Sequence, residues 1–278
     1  MSTNWYPGHM ARASADLQKH MKIIDVVVEL VDARAPSSTS NPELVEITAG
    51  KPRVVVLNKA DLADASLTPV WVAALRDRGL QATAANSVTG EGVADVIRLA
   101  SECAAGAPGA AAQARGRRFR SVVAGIPNVG KSSFINRVAR KSRAKTGDRP
   151  GVTRAKQWIV VSRDLEMLDT PGIMPPRVED PAVWAALSFL GTIDDSLLDR
   201  EAVAIKLIKF LLDCPPSKLG ERFDLPSDVR DPEEILGLVA IRRGCVRTGG
   251  VPDLSRAADV VIREFRSGKL GRVTLETP

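Results

Sequence analysis

An eight-residue segment near the middle of the chain constrains the fold more than any other. Residues 125–132, Gly-Ile-Pro-Asn-Val-Gly-Lys-Ser, match the pattern G-x-x-x-x-G-K-[ST] of a phosphate-binding P-loop. The flanking residues predict a strand over 118–124 that enters the loop and a helix over 133–138 that leaves it. Glycines let backbone N–H groups turn toward phosphate oxygens, and a helix N-terminus favours an anion. The flanking elements favour this interpretation over a chance glycine-rich turn.

Some residues of the loop are expected to bind phosphate, and one is expected to bind a metal ion. We expect Lys131 to reach the β- and γ-phosphates and the Ser132 hydroxyl to ligate Mg²⁺. Both cations would neutralise charge on the phosphate oxygens. The rest of the predicted phosphate site consists of Asn128, Val129, Gly130 and Ser133.

Two later segments predict a response to the γ-phosphate. Residues 145–153 are rich in glycine, proline and polar side chains, which suits a loop that orders and disorders, and Thr153 is its candidate magnesium ligand. A predicted strand pair then leads into Asp-Thr-Pro-Gly. Asp169 can hold Mg²⁺ through water, and the Gly172 N–H can sense the γ-phosphate.

A guanine-reading pattern lies upstream of the P-loop. A predicted strand over 53–57 runs into Asn-Lys-Ala-Asp, which matches N-K-x-D. The Asp61 carboxylate can accept hydrogen bonds from guanine N1–H and the exocyclic amine, a donor pair that adenine lacks. Asn58 can meet the other edge of the base, and the Lys59 stem can lie flat on the ring. Four residues alone are a weak match, and a plain strand-end turn is the alternative.

The fifth element is a loop after a short predicted strand over 81–85. Residues 86–90, Asn-Ser-Val-Thr-Gly, resemble the loop whose backbone touches the guanine carbonyl in GTPases, and Ser87 is the residue assigned to it. This is the least specific match. Five such elements together, each after a strand or in a loop, leave little room for chance.

The order of the elements indicates a circular permutation, because the guanine-reading segments precede the P-loop. Residues 104–116, rich in alanine and glycine, predict a flexible linker that joins the two natural ends. The predicted fold is a doubly wound α/β P-loop GTPase sheet in permuted order, with a smaller all-helical C-terminal domain. The domains are expected over 1–178 and 179–278.

The second domain is predicted from helical periodicity after residue 180. Four helices are expected. In the second of them, apolar residues recur three or four positions apart, which predicts a stripe that faces the core. The expected helices span 181–189, 200–212, 232–242 and 254–265. The core-facing residues of the second are expected to be Ala202, Ile205, Ile208, Leu211 and Leu212.

Charge is unevenly distributed. The whole chain of 278 residues carries +6, whereas residues 115–163 alone carry ten arginines, four lysines and one aspartate, a net +13. This favours a polyanionic partner such as RNA, and a solvated basic surface is an equal alternative. Three widely spaced cysteines, no secretion signal pattern and no membrane-spanning run predict a cytoplasmic protein.

The order of the motifs, with Trp-Tyr-Pro-Gly-His-Met at 5–10, closely resembles the circularly permuted GTPase family of ribosome biogenesis GTPase A, also called YlqF. The likeness covers nearly the whole chain, including Asp-Ala-Arg-x-Pro at 32–36, Asn41-Pro42 and the ending Arg-Ser-Gly-Lys-Leu-Gly-Arg at 266–272. The resemblance implies assembly of the large ribosomal subunit and contact of its rRNA with the helical C-terminal domain.

Two groups are candidates for accelerating GTP hydrolysis. Ile173 follows Asp-x-x-Gly where many GTPases carry a water-orienting glutamine, so the intrinsic rate should be slow. His9 matches the histidine that the resemblance implicates in hydrolysis, and a packed turn histidine is the alternative. Asn128 lies where P-loop asparagines in similar GTPases help to hold K⁺, and a polar spacer is the alternative.

Three functions are compatible with these patterns. The first is a ribosome-stimulated, GTP-hydrolysing switch, assumed monomeric, that binds the large ribosomal subunit precursor late in assembly. The second is a nucleotide-gated RNA- or ribosome-binding placeholder whose hydrolysis of GTP to GDP is incidental. The third, an ATP-using P-loop protein, is disfavoured by Asn58-Lys59-x-Asp61.

Overall fold

The computed structural model describes residues 8–108, 110, 117–146, 158–170, 172–174, 178–215 and 217–278, without the side chains of 8–13 and 141–146. The chain divides into two compact units. The sheet unit comprises Met1–Ala60, Ser66–Val178 and Glu276–Pro278, and the helical unit comprises Asp61–Ala65 and Glu179–Leu275. Compared with the predicted division after residue 178, two short segments change sides: 61–65 belong to the helical unit and 276–278 belong to the sheet unit.

The sheet unit has six strands and five described helices. The strands are β1 (Val26–Asp32), β2 (Arg53–Asn58), β3 (Gln81–Ala85), β4 (Phe119–Ala124), β5 (Ile159–Val160) and β6 (Leu165–Asp169). The helices are α1 (Gly8–His20, followed by the 3₁₀ turn Met21–Ile23), α2 (Pro42–Ile47), α3 (Leu67–Asp77), α4 (Val93–Ala105) and α5 (Lys131–Thr146). Helix α4 thus extends through Ala105 into the predicted linker, and α5 is longer than predicted.

The order of strands in the sheet is β3-β2-β1-β4-β6-β5, parallel except for β5. From β1 the chain winds outward through β2 and β3, and from β4 it winds the other way. The doubly wound, permuted fold is therefore confirmed. Every residue of β1 is buried, as expected of a central strand covered on both faces. The carboxyl ends of β1 and β4 meet at the point where the winding reverses, which is where open α/β sheets bind ligands.

The helical unit contains five described α-helices: α6 (Pro181–Leu190), α7 (Arg200–Leu212), α8 (Leu219–Phe223), α9 (Pro232–Arg242) and α10 (Leu254–Arg266), with a 3₁₀ turn at Asp195–Leu197. The short α8 was not predicted. Within this unit the C-terminal tail holds the segment that follows the guanine-reading pattern. Arg272 Nε donates to the Ala63 carbonyl at 2.8 Å, and Val273 N donates to the Leu62 carbonyl at 3.2 Å.

The predicted core stripe of α7 was partly wrong. The buried residues are Val203, Ala204, Leu207, Ile208 and Leu211. Ala202, Ile205 and Leu212 are half-buried instead. Because α7 is apolar around most of its circumference, apolar spacing alone does not define which stripe faces the core.

Candidate nucleotide site

The P-loop leaves the sheet through a close approach between neighbouring strands. Gly125 follows β4 with φ +147°, and a Cβ there would lie 2.4 Å from the Leu30 carbonyl oxygen of β1. Gly130, at φ +98°, would place a Cβ 2.4 Å from Asn58 Nδ2. Each position therefore requires glycine for both its backbone angle and its space. Helix α5 begins at Lys131, within the P-loop motif, so its N-terminus faces the loop interior.

Lys131 lies inside this loop. Its side chain is buried, and Nζ donates to the Ile126 carbonyl at 2.8 Å. Burial lowers the pKa of Lys131 to about 8, and the charge of Asp169 acts in the opposite direction. The lysine is thus a desolvated cation whose charged form a phosphate group would favour.

Asp169, the last residue of β6, has a buried oxygen that suits a metal. Its Oδ1 has no hydrogen-bond partner among the residues that the structure describes. Burial raises the pKa of Asp169, and the nearby Lys131 acts against that rise. A hard cation such as Mg²⁺ takes oxygen ligands directly or through water, so this carboxylate fits the predicted magnesium site. Ser132 is exposed at the start of α5, and Thr153 lies outside the described residues.

Asn58 joins three of the predicted segments. Its Nδ2 donates to the Val129 carbonyl of the P-loop at 2.7 Å. Its Oδ1 accepts from Ser87 Oγ at 2.7 Å and from Ser87 N at 3.2 Å. The side chain is buried, so these contacts are shielded from water. Asp61 groups with the helical unit, and its place beside guanine stays a prediction from the sequence.

The residues after Asp169 lie against the P-loop. A Cβ on Gly172 would approach Pro127 N to 2.8 Å, so the backbone there has room only for glycine. Ile173 N donates to the Gly125 carbonyl at 3.3 Å. The Ile173 side chain is buried in an apolar cluster with Leu17 and other residues of the sheet unit. An apolar side chain that is buried in this cluster cannot orient a water molecule.

Two groups at this site have no role in the sequence prediction. Asp32, the last residue of β1, forms a buried ion pair with Arg34, with 2.8 Å between Oδ2 and Nη2. Lys59 Nζ lies 2.9 Å from the same oxygen. Asn41 contacts Ile173. The available signal was an acidic residue at the end of a largely apolar strand with a basic residue two positions later, since such charges are rarely left unpaired when they are buried.

The structure shows no contact between His9 and Asn128, the two residues predicted to aid hydrolysis, among the atoms that it describes. The backbone of His9 lies in the first turn of α1, and its side chain is outside the described part of the chain. Asn128 adopts φ +63°, and its carbonyl accepts a hydrogen bond from Lys59 Nζ at 2.6 Å. A role for either residue in hydrolysis stays a prediction.

Comparison with known proteins identifies the family. The family described as "50S ribosome-binding GTPase" matches residues 120–227. Ribosome biogenesis GTPase A of Bacillus cereus is 44% identical over 100% of this chain and 95% of its own length. The chain belongs to the ribosome biogenesis GTPase A family. Membership confirms the predicted family and the activity of a GTPase.

Two further similarities extend over nearly the whole chain. The GNP-bound YlqF of Thermotoga maritima superimposes with a TM-score of 0.69 at 25% identity, covering 96% of this chain and 98% of that one. Mitochondrial ribosome-associated GTPase 1 of Mus musculus is 35% identical over 98% of this chain and 89% of its own length. Within the part of the chain that the structure describes, none of the helices combines the length and the apolar composition that a membrane span requires.

Proposed function

We propose that this GTPase is a nucleotide-controlled switch that binds the precursor of the large ribosomal subunit and acts late in its assembly. The observation that carries the proposal is full-length similarity to proteins named ribosome biogenesis GTPase A, joined to a P-loop site built for phosphate. The ribosomal partner is taken from the relatives' names and from the family description. Localisation in the cytoplasm, where that partner assembles, belongs to the same proposal.

Within this proposal the site residues have distinct roles. The phosphates bind the P-loop backbone and the Lys131 ammonium, at Asn128, Val129, Gly130, Lys131, Ser132 and Ser133. Guanine is read by Asn58, Lys59, Asp61 and Ser87. Mg²⁺ is held by Ser132, Thr153 and, through water, Asp169, while Gly172 senses the γ-phosphate. His9 assists hydrolysis, and K⁺ beside Asn128 supplies further positive charge.

The test is the GTPase rate with and without purified large ribosomal subunits, first in potassium buffer and then in sodium buffer. A switch requires strong stimulation by the subunits. Loss of the rate in sodium supports the role of K⁺, and an equal rate assigns Asn128 to a spacer. His9→Ala, compared with His20→Ala on the same helix, separates a loss of hydrolysis from a loss of helix structure.

A second candidate function is the placeholder whose hydrolysis is incidental. The buried Ile173 favours it, because the residue that orients water in many GTPases is here part of the core. A placeholder binds subunits in its GTP form, and His9→Ala hydrolyses GTP as slowly as the unchanged protein even with subunits present. Strong subunit stimulation that His9→Ala abolishes contradicts this candidate.

Contact with rRNA is the remaining part of the proposal. Its support is the concentration of positive charge in residues 115–163. In the helical unit several arginines instead pair with acids, including Arg242 with Asp224 and Arg266 with Asp195. Binding of rRNA should weaken steeply with salt, since each neutralised phosphate releases counterions. A GTPase whose subunit binding is insensitive to salt docks through protein instead.

A further inference from the structure

A cluster of three charged side chains lies beside the P-loop. Asp32 is the last residue of β1, and its carboxylate is held by Arg34 through a two-pronged contact. Oδ1 accepts from Arg34 Nε at 2.9 Å, and Oδ2 accepts from Nη2 at 2.8 Å. Arg34 N also donates to Oδ1 at 3.1 Å. Both side chains are only 2% exposed, so the pair is removed from water.

The third member of the cluster is Lys59 of the guanine-reading pattern. Strands β1 and β2 pair in register, Asp32 opposite Asn58, so Lys59 follows directly beside Asp32. Its Nζ donates to Asp32 Oδ2 at 2.9 Å and to the Asn128 carbonyl at 2.6 Å. The ammonium therefore bridges a buried carboxylate and the P-loop backbone.

The backbone is under constraint at Lys59 and at Asn128, the two residues that the second of these hydrogen bonds joins. Lys59 adopts φ +57° and Asn128 adopts φ +63°, a region that residues with a side chain rarely occupy. Such conformations persist where surrounding contacts hold them. The hydrogen bond from Lys59 Nζ to the Asn128 carbonyl joins these two residues and is a contact of that kind.

The two positive charges of the cluster keep the buried Asp32 carboxylate ionised. Although burial acts to raise it, Arg34 and Lys59 hold the pKa of Asp32 far below its usual range. Arg34 alone fills two acceptor positions of the carboxylate and fixes its plane. Asp32 therefore stays ionised and oriented, with one oxygen directed at Lys59.

We propose that Asp32, itself fixed by Arg34, is a positioning residue for the nucleotide site. It anchors the Lys59 ammonium so that the ammonium grips the Asn128 carbonyl and the lysine stem keeps one orientation for the guanine ring. This inference rests on the proposed role of Lys59 in guanine binding. It assigns a function to the Asp-x-Arg sequence that begins at the last residue of β1.

The strand offers a matched control for loss of a buried carboxylate. Glu29, three residues before Asp32 on β1, is equally buried. It accepts from Ser40 Oγ at 2.9 Å and from the backbone N–H of Asn41, and it lies 3.1 Å from Arg53. None of these three partners belongs to the P-loop or contacts Lys59. Glu29→Gln therefore removes a buried charge from the same strand without touching Lys59.

The experiment is a double-mutant cycle on GDP affinity with Asp32→Asn, Lys59→Met and the double variant. We expect Asp32→Asn to weaken GDP binding about 10-fold, because a charge-assisted hydrogen bond is lost. We expect no further loss when it is added to Lys59→Met, and unchanged GDP affinity in Glu29→Gln. Equal losses from Asp32→Asn in both backgrounds, or no loss, overturn the inference.

A measurement on the unchanged protein covers the case in which Asp32→Asn does not fold. Two hydrogen bonds should slow proton exchange of the Lys59 ammonium enough to give a persistent NMR signal, which Lys59→Met assigns by its disappearance. A Lys59 signal that exchanges as fast as that of exposed Lys19 overturns the inference. Failure of the unchanged protein to bind GDP contradicts the proposed function instead.

Discussion

Asn41 Nδ2 donates a hydrogen bond to the Ile173 carbonyl oxygen at 2.9 Å, across 132 residues of sequence. The same side chain caps α2, since Oδ1 accepts from Glu43 N at 3.0 Å. Ile173 N in turn donates to the Gly125 carbonyl of the P-loop. The residue after Asp-Thr-Pro-Gly is therefore held on one side by α2 and on the other by the P-loop. A change at α2 should reach Gly172, the proposed γ-phosphate sensor, through these bonds.

Asn41→Asp tests this coupling. Aspartate keeps the oxygen that caps α2, loses the N–H that Ile173 needs and brings a negative charge to a buried carbonyl. We expect stability to fall by about 1–3 kcal/mol. Subunit-stimulated hydrolysis should fall several-fold, while GDP affinity changes little.

The control is Thr48→Val at the other end of α2, where the hydroxyl donates to the Leu44 carbonyl at 2.7 Å. This variant removes a buried hydrogen bond from the same helix without touching Ile173. Hydrolysis lost equally in both variants, measured at equal fractions folded, contradicts the coupling.

Gly130→Ala should disrupt the nucleotide site without unfolding the sheet. The new methyl group would lie 2.4 Å from Asn58 Nδ2, in a backbone conformation that alanine disfavours. Asn58 must then release Val129 or Ser87, so GDP affinity should fall by at least about 10-fold. Gly237→Ala in α9 is the control, because nothing lies within 4 Å of its Cβ position. It should stabilise the protein by up to about 1 kcal/mol and leave GDP binding intact.

Asp169→Asn should change the magnesium requirement specifically. The amide keeps the size of the side chain but removes the charge that the metal needs, so half-maximal hydrolysis should require about 10-fold more Mg²⁺. Glu166→Gln on the same strand is the control, since that carboxylate pairs with Arg120 at 2.8 Å. A magnesium titration of both variants decides the matter. Identical titrations for Asp169→Asn and the unchanged protein remove Asp169 from the metal site.

Sequence reasoning predicted element boundaries best where local chemistry marks them. Helix α7 begins after Asp199, whose side chain accepts from Ala202 N, and α9 begins after Asp231 with Pro232 at its first position. Such caps depend on neighbours in the sequence, so the chain alone reveals them. The buried face of α7 depends instead on which helices pack against it, and its prediction was partly wrong.

The same division holds at the site. The P-loop and N-K-x-D are contiguous patterns, so the sequence contains their full description. The bonds from Asn58 to Val129 and from Asn41 to Ile173 join residues far apart in the chain. Neither bond has a local signature in the sequence. Asn41, for example, precedes a proline, and capping a helix is already a sufficient local role for it.

The helical unit should lose stability in acid through Glu264. Hydrogen bonds from Arg222, at 2.7 and 2.8 Å, lower the pKa of Glu264 despite its burial. A carboxyl group whose pKa is lower in the folded state stabilises the fold above its unfolded pKa, near 4.3. That contribution disappears as the pH falls through the folded value.

Glu264→Gln should therefore melt roughly 4 °C lower at neutral pH, and the difference should shrink in acid. Asp259→Asn on the same helix removes an exposed pair with Arg200 and should cost little. Thermal melts from neutral pH downward test both. A difference for Glu264→Gln that persists unchanged in strong acid assigns the loss to packing instead.

GDP affinity should fall as the pH rises above about 8, because Lys131 titrates there. Burial lowers the pKa of this lysine in the free protein, and a bound phosphate favours the charged form and raises it again. Well below pH 8 the lysine is protonated in both states, so affinity is flat there. Between the free and bound pKa values, binding requires proton uptake, and affinity falls up to about 10-fold per pH unit.

Calorimetry in buffers of different ionisation enthalpy measures that proton uptake directly. Lys131→Arg is the matched variant, because a guanidinium stays protonated throughout this range. Its affinity is lower, since the fit is poorer, but its pH profile should lack the Lys131 component. Any slope common to both proteins then arises from groups other than Lys131. Identical slopes and identical proton uptake in the two proteins contradict a titrating Lys131 and place its ammonium in an environment better solvated than the buried loop described above.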